Sequence, residues 1–508
     1  MSLTILIGGK AGQGINKVSE IMSNVLGKFG YYTFNYRDYQ SLIRGGHNFN
    51  SLCVSSTPVE SHESKAGILV IFDDRTLKTH KKDLLEGAIT LTAEKFEKEE
   101  QNLNIALAGC LTKILGIPFD ELKKEIKLQL KNSAEAVLAG QRGYDSQKNI
   151  YKLKKLNNKI TRLSGSQAVA VGARNSGLQT YIAYPMTPAT GALHELATDQ
   201  VKHNLTVFQA ENEIAAVSMA IGSSFAGKKT MTGTSGGGFD LMGESLSLQG
   251  ISEIPLTVYL ASRVGPATGV PTYTAQSDLD IALRSGHGEF PRFVIAPGNP
   301  IETAEKTSEA LFLSEKFKTL SVLLSDKHLA ESEFSFAPQK FSTPKFEIKR
   351  PVPGKTIIKA SSYEVDKFGN CTESASLTET NVNKRVKKYE ESKKYIEKNF
   401  EMIKIHGKKS SKNLIVGWGS TSGAIKDAIK DLDAKFLQII YMKPLSPQIK
   451  KEIQKASKVI LVECNVTGQL GRLIREKTGI KIENRLLKYD GRPFRSDELK
   501  KYLEEILL

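Results

Sequence analysis

The segment Gln209-Ala210-Glu211-Asn212-Glu213-Ile214-Ala215-Ala216 puts two carboxylates where a helix of small residues begins. Negative charge is favoured there by the helix macrodipole, so either glutamate can serve the helix end, and either can exchange a proton with a reacting group. Upstream, Tyr184-Pro185-Met186-Thr187-Pro188-Ala189-Thr190 follows an apolar strand-like run, and its two prolines fix φ on both sides of Thr187. Such a turn presents Thr187 at the carboxyl edge of a parallel sheet, where open α/β folds bind ligands. The plainer reading has Thr190 capping a helix over 191–201. Downstream, Ser235-Gly236-Gly237-Gly238-Phe239 is a loop whose glycines allow a sharp turn or the close approach of a flat ligand. Arg263 ends another strand-like run, a position that suits a bidentate carboxylate receptor as well as a surface salt bridge. Gly8-Gly9-Lys10-Ala11-Gly12-Gln13-Gly14 also lies between strand and helix, where backbone N–H groups can meet an anion. It matches neither GxGxxG nor a P-loop ending, and a tight turn without a ligand is the alternative.

These residues need elements to hold them. Over 1–150 the pattern predicts an opening strand, a helix over 18–29, strands at 67–72 and 88–91, and helical periodicity across 104–138, an alternation that favours an α/β domain. Over 164–335 it predicts strands at 179–183, 230–234, 256–260, 292–296 and 320–324 with helix-length segments between them, a doubly wound parallel sheet. Residues 336–410 read as a proline-rich linker followed by a lysine-rich helical segment over 381–404. Residues 411–508, with strands at LIVGWG and 458–463, read as a third, smaller α/β domain.

The chain has 508 residues, 40% of them hydrophobic, enough for several domains with separate cores. No stretch reaches the roughly 18 apolar residues of a membrane span, and no basic leader precedes the first apolar run, so a cytoplasmic protein without a membrane partner is expected. Cys53, Cys110, Cys371 and Cys464 are scattered, which offers neither a disulfide framework nor a CxxC metal-ligand set, and no metal site is assigned. A net charge of +16 raises nucleic acid as a partner. The lysine runs at 123–131, 152–159 and 384–412 interleave with acids on solvated faces, and no nucleic-acid motif accompanies them. A basic surface can instead steer an acidic electron carrier.

YPMTPAT, QAENEIAAVSMAIGSSFAGKKTMTGTSGGGFDLMGESL, RVGPATGVPT, AQSDL and GHGEFPRFVIAP occur in this order across the second block. Together they resemble the alpha subunit of 2-oxoacid:ferredoxin oxidoreductases. GGKAGQGI, SLIRGGHNFNSLCVS and AEAVLAGQRGY look like the family's gamma subunit fused ahead of it, and ECNVTGQLGRLIR is similar to a transketolase-type C-terminal domain. The resemblance implies a gamma-type domain, a pyrimidine-binding domain for thiamine diphosphate and a transketolase C-terminal-like domain. It implies oxidative decarboxylation of a 2-oxoacid to acyl-CoA and carbon dioxide, with electrons passed to ferredoxin. Glu213 falls at the family's catalytic carboxylate, which hydrogen-bonds the aminopyrimidine N1′ and so activates the thiazolium carbon. Thr187 and Arg263 match positions that hold the substrate carboxylate, and Tyr184, Pro185, Thr187, Gly236, Gly237 and Gly238 complete the cofactor surface. Gly12, Gly14, Arg44 and His47 are the candidate coenzyme A contacts, although His47 by itself reads more readily as a structural histidine than as an acid–base catalyst.

Met186, Ala189, Gly237, Val264 and Ala267 depart from the family's usual YPITPST, SGPGF and RGGPST, which leaves pocket shape and substrate choice open. The GDG-type segment that binds Mg²⁺ and diphosphate is absent, because Asp490-Gly491 lacks the preceding glycine and the spacing. In the family Mg²⁺ and the iron–sulfur cluster belong to the beta subunit, so the cofactor is expected to be shared between chains in a heterodimer or a dimer of heterodimers. The fused gamma domain makes 2-oxoglutarate or a broad range of 2-oxoacids the leading substrate by analogy, with pyruvate- or branched-chain-specific enzymes as alternatives. A non-catalytic assembly subunit and a nucleotide-binding protein using GGKAGQGI are the readings from other classes.

Overall fold

The computed structural model describes residues 2–42, 45–130, 133–344, 346–347 and 350–507. They form a mixed α/β protein with three sheets, divided into two compact units. The first unit comprises residues 1–163, 332–340 and 495–506, and the second comprises most of the remainder.

In the first unit a seven-stranded sheet runs, from edge to edge, through Leu84–Thr92, Ala66–Ile71, Ser2–Ala11, Gly45–Ser55, Tyr32–Asp38, Glu333–Phe336 and Thr161–Ser164. Ser2–Ala11 pairs parallel with Ala66–Ile71 and antiparallel with Gly45–Ser55, so the sheet is mixed. The helical periodicity over 104–138 resolves into three helices, Leu103–Ile114, Phe119–Gln129 and Ala134–Asp145. Gly116, at φ +77, and Pro118 impose the first break. Glu333–Phe336, inside the block read from sequence as 164–335, pairs here with Tyr32–Asp38.

In the second unit Leu256–Ser262 and Leu320–Asp326 are buried along their whole length. Unbroken burial of this kind belongs to parallel strands covered on both faces. The seven-stranded sheet runs Tyr441–Lys443, Arg292–Ile295, Leu320–Asp326, Leu256–Ser262, Thr230–Thr234, Thr180–Ala183, Thr206–Gln209. Its pairings are parallel except for the edge strand Tyr441–Lys443, which comes from the last block of sequence and is antiparallel to Arg292–Ile295. Helix Pro300–Phe317, started by Asn299 accepting from the Glu302 backbone N–H at 2.9 Å, packs on helix Gly165–Asn175. The third sheet, Ile403–Gly407, Lys435–Ile439, Asn413–Trp418, Lys458–Glu463 and Asn484–Leu487, is parallel apart from its first strand. The lysine-rich segment is one helix, Ala375–Asn399, in which Ser392 and Ile396 are the buried residues. Among the described residues no helix is long and apolar enough to cross a membrane.

Helices Leu103–Ile114 and Ala134–Asp145 touch backbone to backbone, because a Cβ at Gly109 would strike the Gly140 carbonyl and one at Gly143 the Ala106 carbonyl. Neither carbonyl can rotate away without breaking a helix. Gly143→Ala is therefore expected to lower stability by about 1–3 kcal/mol, the usual scale of overpacking, as read from denaturant midpoints; a change below about 0.5 kcal/mol would show that the helices separate freely.

Candidate active site

Four parallel strands end along one edge of the middle sheet, and the loops that follow them bring the chemistry-bearing residues together. After Thr180–Ala183 comes the turn 184–189, with Tyr184 exposed and Pro185 and Thr187 half-buried. The helix that follows is Thr190–Thr198; Ala189 is its N-cap, without a side-chain hydrogen bond, so Thr190 does not serve as the cap. After Thr206–Gln209, Asn212 caps helix Glu213–Phe225 by accepting from the Ala215 N–H at 2.9 Å. Burial separates the two glutamates: Glu211 is exposed, whereas Glu213 is 3% exposed in the helix's first turn. The Glu213 Oε1 atom has no hydrogen-bond partner.

The loop after Thr230–Thr234 closes over this carboxylate. A Cβ at Gly238 would lie 2.7 Å from Glu213 Cγ and 2.8 Å from its Oε1, so only glycine admits the side chain in this position. Gly237 is exposed and faces open space, and a Cβ at Gly236 would lie 2.5 Å from Asp278 Oδ2. Gly236–Leu241 is itself a short helix rather than an extended loop. After Leu256–Ser262, Arg263 donates from Nη1 to the Thr187 backbone carbonyl at 3.0 Å, tying the fourth loop to the first. Burial lowers the guanidinium pKa, while the Asp278 and Glu213 carboxylates hold it up. Tyr184, Pro185, Thr187, Glu213, Gly236, Gly237, Gly238 and Arg263 thus lie on the turns and helix starts that follow four strands at one sheet edge.

Asp278 was not singled out from sequence, although AQSDL contains it. Burial pushes its carboxyl up to about 6, the neighbouring Asp240 adds to the effect, and Ser262, Ser277 and Arg263 oppose it. Its Oδ2 is buried without a partner, a second orphaned acidic oxygen at the same edge as Glu213.

In the first unit, Ser2–Ala11 runs further than the glycines suggest, and the turn is made by Gly12 at φ +91 and Gly14 at φ +85, which caps helix Ile15–Lys28. Nothing lies within 4 Å of a Cβ at Gly12, so this turn faces open space. His47 is buried beside Gly8 of this strand and meets His80 Nε2 through its own Nε2 at 2.8 Å, with His80 Nδ1 3.0 Å from Asp83. Burial lowers both imidazole pKa values. Arg44 lies outside the described residues.

Two families match the chain: "Pyruvate flavodoxin/ferredoxin oxidoreductase, thiamine diP-bdg" over residues 171–399 and "Pyruvate ferredoxin/flavodoxin oxidoreductase" over residues 4–140. The 2-oxoacid:ferredoxin oxidoreductase subunit alpha of Sulfolobus sp is 31% identical, the alignment taking in 100% of this chain and 97% of that protein. The chain belongs to the 2-oxoacid:ferredoxin oxidoreductase alpha subunits. It is one subunit of a hetero-oligomeric oxidoreductase. The 2-oxoglutarate synthase subunit of Archaeoglobus fulgidus is 37% identical over 34% of this chain and 50% of that protein. A solved 2-oxoglutarate:ferredoxin oxidoreductase from Magnetococcus marinus, with 2-oxoglutarate, coenzyme A and succinyl-CoA bound, is 25% identical, covers 100% of both chains and has a TM-score of 0.90.

For this alpha subunit the raised Asp278 carboxyl gives a pH dependence with a definite sign. The folded protein holds a proton that the unfolded chain has released, so stability falls as pH rises from near 4 to near 6 and stays lowered above it. Asp278→Asn should remove that fall, raising stability by an amount on the order of 2 kcal/mol above pH 6 and by almost nothing below pH 4. Denaturant midpoints at pH 4 and pH 7 check this, and a variant equally shifted at both would show that the carboxyl does not titrate in this range.

Proposed function

We propose that this chain supplies the pyrimidine-side half of a thiamine-diphosphate site for oxidative decarboxylation of 2-oxoglutarate or a broad range of 2-oxoacids. The observation that carries the reading is the buried Glu213 oxygen without a protein partner, beside a backbone stripped to glycine at Gly238. A buried carboxylate oxygen without a donor costs several kcal/mol, and an aminopyrimidine ring nitrogen would remove that cost. When bound, thiamine diphosphate supplies the carbon that attacks the 2-oxo carbon and takes up the electron pair left as carbon dioxide departs.

The chain's own residues then have separate tasks. Glu213 holds a proton at the ring nitrogen, and its place in the first turn of a helix fixes the carboxyl direction. Gly236, Gly237 and Gly238 keep the approach to the flat ring clear, with Tyr184 and Pro185 bordering it. Arg263 pairs with the substrate carboxylate and the Thr187 hydroxyl adds a hydrogen bond, while the link from Arg263 to the Thr187 carbonyl keeps both at one separation. Mg²⁺, the diphosphate contacts and the iron–sulfur cluster are assigned to the beta subunit, ferredoxin is the acceptor, and the first unit takes coenzyme A near Gly12, Gly14 and His47. The cytoplasm is the assigned compartment. The 2-oxoglutarate named in two relatives favours that substrate, and the general 2-oxoacid name of the Sulfolobus protein favours breadth.

Glu213→Gln keeps the shape of the side chain but loses the carboxyl proton exchange. In the chain co-expressed with its small partner subunit, anaerobic viologen reduction with coenzyme A and a panel of 2-oxoacids should fall by about 10²-fold or more, with thiamine diphosphate still bound. An assembled pair that binds no thiamine diphosphate and reduces nothing sinks the reading, and an assembly subunit takes its place.

Arg263→Met should lower kcat/KM by an amount equivalent to about 2–5 kcal/mol, the scale for losing a buried charged partner. Steady-state kinetics on the preferred 2-oxoacid decide it, and a loss confined to cofactor affinity would move Arg263 from substrate to cofactor.

A further inference from the structure

The lysines of the second unit differ in what their amines meet. Burial lowers the amine pKa of Lys229, Lys388 and Lys443. Lys229 donates to the Ser176 and Phe346 carbonyls, at 3.1 and 3.2 Å, and Lys388 is paired with Glu253. Lys443 is different: among the described residues its Nζ makes no hydrogen bond and no ion pair.

Lys443 is half-buried on the edge strand Tyr441–Lys443, opposite Val294. Its side chain lines a recess of about 250 Å³, open to solvent, whose apolar wall is Phe290, Pro291, Val382, Val386 and Tyr389. Two further charged residues line it: Arg385, engaged by Glu364, and Glu289, which stays beyond ion-pair distance of Lys443. A second recess, of about 390 Å³, shares Glu289, Phe290, Val382 and Arg385 with the first, so the space continues past it.

The charges around Lys443 are mostly of its own sign. Arg292, at the amino end of Arg292–Ile295, projects from the same side of the sheet, since Val294 pairs with Lys443 and shares a face with Arg292. It is 3% exposed, stacks on the Phe290 ring with Cζ 4.4 Å from the centroid, and its Nε and Nη1 meet no acceptor. Arg284, ending helix Leu279–Arg284, and Lys477, in helix Gln469–Thr478, add positive charge. The opposing carboxylate, Glu476, is held by Arg284 at 2.5 Å and by Lys477 at 2.8 Å. Burial first, and these cations after it, push the Lys443 amine down to about 8. At pH 7.5 roughly a quarter of such amines are free base, against about one in a thousand for an ordinary lysine.

Lys443 therefore combines what a nucleophilic amine needs: an uncharged fraction near neutral pH, no partner occupying its nitrogen, and space for an electrophile beside it. We propose that Lys443 is a modification site that takes an acyl group from a small thioester, the acyl chain lying against Phe290, Val386 and Tyr389. The amine nitrogen attacks the thioester carbonyl carbon; a C–N bond forms, the C–S bond breaks, and the proton shed by nitrogen leaves with the sulfur as a thiol. The product is a neutral amide, which removes one of several clustered positive charges. An acyl thioester is also what the proposed decarboxylation yields, which names a donor, but the reactivity of Lys443 does not rest on that reading.

The test treats the full chain, alone and assembled with its partner subunit, with the butyryl thioester of N-acetylcysteamine, and follows each lysine by peptide mass spectrometry. At pH 7.5 Lys443 should be acylated at least about tenfold faster than Lys394 and Lys398, which are exposed on helix Ala375–Asn399. Its rate should level off above about pH 9 while theirs keep rising. Arg284→Gln removes a like charge and releases Glu476, so it should slow Lys443 several-fold at pH 7.5 and leave Lys394 and Lys398 unchanged. A Lys443 rate no higher than theirs, a rate still climbing with theirs above pH 9, or no effect of Arg284→Gln overturns the proposal. Protection of Lys443 in the assembled pair overturns it as well, because the recess is then a subunit contact.

Discussion

The middle sheet is organised around a carboxylate that the fold takes out of water and leaves half unsatisfied. Glu213 is buried, and one of its oxygens has no donor. Such a group persists only where surrounding structure holds it in place. Here the holding is distributed over several elements: the Asn212 cap fixes the helix start, the positive helix end favours the charge, and glycine at 238 gives the side chain its space. Arg263 contributes through its field and is itself tied down by the Thr187 carbonyl.

That arrangement depends on sheet topology as much as on local sequence. The loops carrying residues 184–189, 213, 235–238 and 263 are far apart in the chain and meet because their strands run parallel and end at the same edge. A parallel sheet needs helices on both faces, which is why its central strands Leu256–Ser262 and Leu320–Asp326 are buried along their full length. Asp278 belongs to the same economy of charge. It is held near Arg263 while burial favours its protonated form, so two acids and one arginine share a region where ionising every group would be unfavourable.

Much of this was legible in the sequence where the signal is local. The apolar centres of Leu256–Ser262 and Leu320–Asp326 follow from apolar runs between glycine, proline and polar breaks, and Thr230–Thr234 from its threonines ahead of a glycine-rich turn. The signal failed where pairing partners supply the stability. Gly45–Ser55 reads as a polar stretch, because its Asn50 is satisfied only across the fold, donating to Ser19 at 2.6 Å and to Asn16 at 3.0 Å. Thr206–Gln209 is largely exposed and carries no apolar run. Glu333–Phe336 takes its partner from about 300 positions earlier, which no local periodicity can announce. Glu211 and Glu213 are equivalent in local pattern; the motif resemblance singles out Glu213, and burial separates the two physically. For Asp278 and Arg292 the residue type was visible, while the property that matters, burial of an ionisable group, arises from tertiary packing.

The two orphaned charges of the middle sheet differ in what they imply about the protein. At the carboxyl edge the uncompensated groups are mainly acidic and are approached by glycine loops, an arrangement suited to a ligand that presents hydrogen-bond donors and a flat face. At the amino end Arg292 is basic, stacked on an aromatic ring and backed by Lys443. Unpaired charges of opposite sign at opposite ends of the same strands are not explained by helix dipoles, since Arg292 and Lys443 lie on strands and sheets carry only small net dipoles. Nor does core packing explain them, because an apolar residue of similar volume would fill each place at lower cost. Both are charges that the fold holds against a desolvation cost.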